Sequence, residues 1–174
     1  MAVVDKQEIQ SVLQDGMNAL ADALHALDEE TACLRPLPGS WSALECVQHI
    51  ALVEAGLLAR LKEARPDGAS HQDPAREARF QALALNRQRR IEAPERAIPR
   101  RESQTLAQAY AEFHAVRSQT MRFVDEFDGD LRSWLTTHPL ITRPVNCYEM
   151  LLLMALHPKR HAQQVSEIRG QLSR

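Results

Sequence analysis

The seven residues Met150 to Leu156 are all apolar, and they follow an Asn146 that has Glu149 three positions later. An asparagine in that place caps a helix by accepting from a free backbone N–H, and a third-position glutamate suits the same start. A helix that is apolar on every side cannot face water along any stripe, so it belongs in the centre of a bundle. The rest of the chain has to supply the elements that surround it.

Those elements read as amphipathic helices. Only 6 of the 174 residues are Gly, alternating β-branched stretches are scarce, and Ala, Leu, Gln, Glu and Arg dominate long segments of helical period. From about Val4 to Leu27, the residues Ile9, Leu13, Met17, Leu20, Leu24 and Leu27 fall on one stripe, which Pro36, Pro38 and Gly39 close off. Ser42 and Glu45 then form a capping box flanked by Trp41 and Cys46, opening a helix from Ala43 to Arg60 or a little beyond. The stretch Arg65 to Gly68 interrupts the pattern. Asp73-Pro74 restarts a shorter, arginine-rich helix toward Ile91, and Pro94 and Pro99 bracket another connection. Ser103 to Phe127 carries Leu106, Tyr110, Phe113, Val116, Thr120, Phe123 and Phe127 on one side, and Gly129 ends it. With no repeat of fixed period, the chain reads as a single domain over residues 1–174. The expected fold is all-α, a four-helix bundle of the up-and-down type with an elaborated middle connection.

Charge and composition exclude several functions. The 21 basic and 23 acidic side chains leave a formal charge of −2, which gives no overall field for a polyanion, so nucleic acid is not an expected partner. Met1 to Lys6 lacks a basic segment followed by a long apolar one. The run Met150 to Leu156 is too short to span a bilayer, so the expectation is a cytoplasmic protein without a membrane partner. Cys33, Cys46 and Cys147 are odd in number and widely spaced, which suggests neither a disulfide framework nor a thiolate zinc site.

The chemistry-bearing residues are histidines. His157 and His161 stand one helical turn apart in His157-Pro158-Lys159-Arg160-His161, and His49 lies beside the apolar stripe of the second long helix. Two imidazoles at i and i+4 project from one helix face. A third from a neighbouring helix completes a three-nitrogen site that leaves a coordination position open on a divalent ion. The spacing alone is common in a chain with 7 His, so it is read together with the wider pattern. The chain has no Glu-x-x-His motif and no H-E-x-x-H, which disfavours a di-iron carboxylate bundle and the common metalloprotease arrangement.

That wider pattern is Trp41-Ser42 with Glu45 and His49, then Thr137-His138-Pro139 and a turn, then a last helix with His157, His161 and Gln164. It resembles the DinB/YfiT-like family of metal-binding four-helix bundles. The resemblance covers the chain from the second long helix to near its end, while residues 62–102 match nothing in it. It implies that His49, His157 and His161 ligate a divalent metal, with zinc or nickel expected first and iron next. It also implies a thiol S-transferase type of reaction, which joins a low-molecular-weight thiol to a small electrophile. His157 stands where the isomerase-like branch resembles a Glu, and so favours the all-His branch. Two other readings stand beside this one: a hydrolase using a metal-bound water, and a non-catalytic, stress-associated metal-binding protein.

Other residues carry weaker expectations. Glu45 is read as a cap before an orienting partner of His49, and Cys46 as a buried small residue before a ligand or acceptor thiol. Tyr110 and His114 lie on the third long helix and are read as a core residue and a solvated imidazole before proton-transfer groups. His138 suits a turn as well as a substrate contact, and Arg87, Arg89, Arg90, Arg100 and Arg101 read as a solvated face. The stripe Ile9, Leu13, Met17, Leu20 suggests a homodimer if it is exposed. Pro158 contradicts a regular last helix. It removes the bond to the Met154 carbonyl and predicts a kink or wide turn between Met154 and His161.

Overall fold

The computed structural model describes residues 2–88, 91–99 and 104–173, and for residues 2–4 the backbone alone. The chain runs α1 (Ala2–Leu24), α2 (Glu29–Cys33), α3 (Ala43–Lys62), β1 (Arg65–Pro66), α4 (Pro74–Leu85), a 3-10 turn (Glu95–Ala97), α5 (Leu106–Glu126), β2 (Trp134–His138), β3 (Ile141–Asn146) and α6 (Cys147–Leu172). The helix starts follow from local chemistry. Ser42 with Glu45, Thr105 with Gln108 and Asn146 with Glu149 form reciprocal capping boxes, and Asp73 accepts from the Arg76 N–H while Pro74 occupies the first turn.

The fold is mostly helical, and the all-α expectation is corrected by a small antiparallel sheet in the order β1-β2-β3. Its central strand, Trp134-Leu135-Thr136-Thr137-His138, is rich in strand formers, but Pro139 and the following turn hid it in the sequence. Both outer strands contain a proline, Pro66 and Pro144, which fits their edge positions and stops the sheet from growing. The short helix α2 was also unexpected.

The up-and-down expectation is corrected as well. Around the bundle the long helices follow the order α1, α6, α3, α5. Gly16 of α1 meets Ala155 of α6, and farther along Asp22 and Arg169 line the same groove, so these two helices are parallel. Gln48 meets Gln104 ahead of α5, and Glu54 meets Arg117 within it, so α3 and α5 are parallel too. Lys6 reaches the carbonyls of Asp125 and Phe127 while Leu13 meets Arg117, so α1 and α5 are antiparallel. The reason is the connection from residue 63 to 105, which returns the chain to the end where α3 began. Its helix α4 climbs along α6: Arg76 in α4 pairs with Glu149 at 2.9 Å, and Arg87, just past the end of α4, pairs with Glu167 at 2.8 Å.

Packing agrees with the burial expected of α6. Met150, Leu151, Leu152 and Met154 are fully buried, each contributing about 1.5–3 kcal/mol of burial free energy. Ile9, Leu13 and Leu20 of α1 are also fully buried in this chain's own core, and Met17 packs partly buried against it. On α5 the buried face is Leu106, Ala109, Phe113, Arg117, Thr120 and Val124, rotated from the expected stripe, with an arginine at its middle. Among the described residues no helix is long and apolar enough to cross a membrane.

Candidate metal centre

The antiparallel packing of α3 against α6 brings together the three histidines that the sequence singles out. His49 projects from the first half of α3, and His157 and His161 from one face of α6. Their ring centroids lie 5.1 Å apart for His49 and His157, 5.0 Å for His49 and His161, and 4.6 Å for His157 and His161. One nitrogen from each falls within 4.8 Å of the others. Among the described residues no carboxylate or thiol joins this group.

Hydrogen bonds decide which nitrogens are available. His49 Nδ1 donates to the carbonyl of Ala97 at 2.7 Å, and His161 Nδ1 lies 2.9 Å from Gln164 Oε1, which can only accept. Both Nε2 atoms are thereby left as acceptors facing the cluster. His161 Nε2 lies 3.0 Å from His157 Nε2. Two ligands at about 2.0–2.1 Å from a tetrahedral ion stand about 3.4 Å apart, so a small side-chain shift accommodates one ion.

Electrostatics points the same way. Burial pushes the His49 imidazole below its usual value and holds His157 and His161 well below it; for these two, neighbouring imidazoles depress it further. Near neutral pH all three rings are neutral and offer lone pairs, the form a metal requires. Trp41 forms a wall of the site, 4.7 Å from the His49 ring and stacked at 6.4 Å on His161.

The remaining candidates lie elsewhere. Glu45 is held by the Ser42 cap and by a bidentate pair with Arg35, so Ala97 rather than Glu45 orients His49. Cys46 is fully buried and its thiol is pushed up to about 12 by burial, which suits a core residue. His114 is exposed, and Tyr110 packs edge-on against Phe113. His138 accepts from the Leu140 N–H in the hairpin turn, beside the far end of α3, with its imidazole lowered to about 4 by burial and then by Arg60. Arg87 is not part of a solvated face: it binds Glu167 and reaches Gln164 Oε1 at 3.3 Å, while Arg89, Arg90, Arg100 and Arg101 lie outside the described residues. Pro158 does not break the last helix, which continues from Cys147 to Leu172 and keeps His157 and His161 together. Trp41 went unassigned because its place beside the cap already explained it. Ala97 acts through its backbone and leaves no sequence signal.

The sequence profile of the DinB superfamily matches residues 13–165. The chain belongs to the DinB superfamily. Among solved structures, it is similar to YfiT from Bacillus subtilis at 13% identity and a TM-score of 0.59, covering 97% of this chain and 87% of that one. YfiT is described as a probable metal-dependent hydrolase with an unusual four-helix bundle topology. At that identity the likeness speaks for the fold. A search of curated proteins found no match. Within the DinB fold, the three-His group of this chain suits a divalent metal ion.

Proposed function

We propose that this DinB protein binds a divalent metal through His49, His157 and His161 and uses it to join a low-molecular-weight thiol to a small electrophile. The observation that carries the reading is a cluster of three neutral imidazoles to which, among the described residues, no carboxylate contributes. An ion bound there would supply a Lewis acid that favours the deprotonated form of a thiol entering its open position.

The chain's own residues do the rest. Ala97 and Gln164 fix the rings of His49 and His161 so that Nε2 of each faces the same point. Trp41 covers the two rings and limits water on that side. A free thiol titrates near about 8.5, so a modest electrostatic effect suffices to ionise it, whereas water requires a larger shift and commonly a separate base. The carboxylate nearest in sequence to His49, Glu45, is engaged by Arg35 and the cap. Cys46 is buried and unionised, so the thiol is a separate molecule. Three imidazoles suit zinc or nickel first and iron next.

A hydrolase is the second reading, favoured by the structural likeness to YfiT. Elemental analysis of protein purified without added metal or affinity tag tests the site: one equivalent in the wild type, lost in His161→Ala. A panel of thiols with electrophiles, and of esters and amides, with and without chelator, then separates the reactions. Chelator-sensitive thiol conjugation supports the proposal. Turnover of esters or amides alone transfers the assignment to the hydrolase. No metal-dependent turnover leaves a binding protein.

A further inference from the structure

Pro158 lies inside α6 and has no N–H, so the carbonyl of Met154 loses its helix partner. That carbonyl is nevertheless satisfied, because Arg117 Nη2 donates to it at 2.9 Å from across the bundle. Arg117 is fully buried, and other helices fix its guanidinium. Nε and Nη2 each donate to Glu54 at 2.6 Å, and Nη1 donates to the Leu13 carbonyl at 2.6 Å. Thr120 Oγ1 donates to the same Glu54 carboxylate at 3.0 Å. One side chain thus ties α1, α3, α5 and α6 at a single level, and its contact with α6 falls on the one carbonyl that proline has freed.

The consequence reaches His157. A residue before proline is pushed away from helical geometry, so His157 stands where α6 would most readily open. The Arg117 bond holds the Met154 end of that turn. From the other side, Gly16 of α1 approaches so closely that a Cβ there would overlap the Ala155 carbonyl oxygen, leaving the turn little room to move. A guanidinium near the site opposes a bound dication, and the Glu54 carboxylate offsets that charge.

We infer that Arg117, oriented by Glu54, is a positioning residue of the histidine centre: by taking the carbonyl that Pro158 frees, it holds the turn of α6 that presents His157. The inference rests on the metal-site reading, but its test also includes metal-free protein. Replacing the pair by Glu54→Leu with Arg117→Met removes the buried charges together and leaves an apolar core able to fold. The Met154 carbonyl is then without a donor until Pro158→Ala restores a backbone N–H.

The probe is cobalt(II), followed by its visible spectrum and by chelator competition, with imidazole nitrogen and proton NMR on the metal-free chain. The double variant should bind cobalt about ten- to a hundredfold more weakly, as loss of a supporting contact does at other metal sites, with altered His157 signals. Adding Pro158→Ala should restore both the affinity and the signals, which a merely stabilising role would not do. Arg117→Lys keeps the charge beside Glu54 but cannot match the forked bonds, and should shift both readouts in the same direction if the double variant does not fold. Unchanged cobalt affinity and His157 signals in the folded variants, or losses that Pro158→Ala fails to reverse, would overturn the inference. If the wild type binds no cobalt, the metal reading fails by itself. The metal-free His157 signals then decide: movement in the double variant and recovery in the triple support positioning, and their constancy refutes it.

Discussion

Two buried polar clusters lie within this bundle, and they have opposite chemistry. Around Arg117, the guanidinium meets a carboxylate and two backbone carbonyls, and the carboxylate also accepts from Thr120. Farther along, three imidazoles face one another: the outer nitrogens of His49 and His161 are engaged by Ala97 and Gln164, and one nitrogen of each ring converges on the cluster. The first cluster is complete without a ligand. The second places neutral acceptors where only a shared proton or a cation can satisfy them. A polar group in a core is therefore not by itself a sign of function; convergence of acceptors is.

The largest expected effect tests the completeness of the first cluster. Arg117→Ala leaves Glu54 buried without its partner and should cost about 3–5 kcal/mol in denaturant unfolding, while Glu54→Leu with Arg117→Met should cost much less. Equal losses would show that packing rather than charge satisfaction dominates there. The second test adds ligand to the histidine cluster. Zinc at about a hundred times its dissociation constant should raise stability by about 2.7 kcal/mol, seen as a higher Tm in the wild type and absent in His161→Ala. A similar rise in His161→Ala would move the binding site elsewhere.

Protons give a third test. The three imidazoles are depressed in the folded chain, whereas unfolded imidazoles titrate near about 6.5. Between those values the unfolded state holds more protons, so stability of the metal-free protein should fall as pH is lowered from about 6.5. His138, lowered to about 4, adds to the same slope. Denaturant midpoints at successive pH values for the wild type, His138→Ala and His157→Ala separate the contributions, with the larger flattening expected in His157→Ala. The smallest effect is expected in His138→Ala under metal titration: it sits in the hairpin turn, and its metal affinity should stay within about twofold of the wild type.

Much of this was legible in the chain. The caps at Ser42 and Asn146, the restart at Asp73-Pro74 and the apolar run Met150 to Leu156 inside α6 are local or periodic signals, and each appears where expected. The histidines could also be chosen: His157 and His161 by their i,i+4 spacing, and His49 by its place beside an apolar stripe and the likeness to DinB proteins. The small sheet was not legible, since Pro139 masks the β2–β3 hairpin and the pairing of β1 depends on Arg65 and Pro66 meeting Leu135 and Trp134, which lie far away in the chain.

What the sequence by itself determined was where most of the helices begin and that His157 and His161 share one helix face. Those properties follow from backbone capping and from the 3.6-residue period, which act within a few residues. Only the tertiary structure decided that α3 runs antiparallel to α6, and this brings His49 to His157 and His161. It also decided that Arg117, one cation on an apolar face, meets the carbonyl freed by a proline 41 positions later. Hydrogen bonds between distant segments depend on how whole helices pack, and no local pattern encodes that geometry.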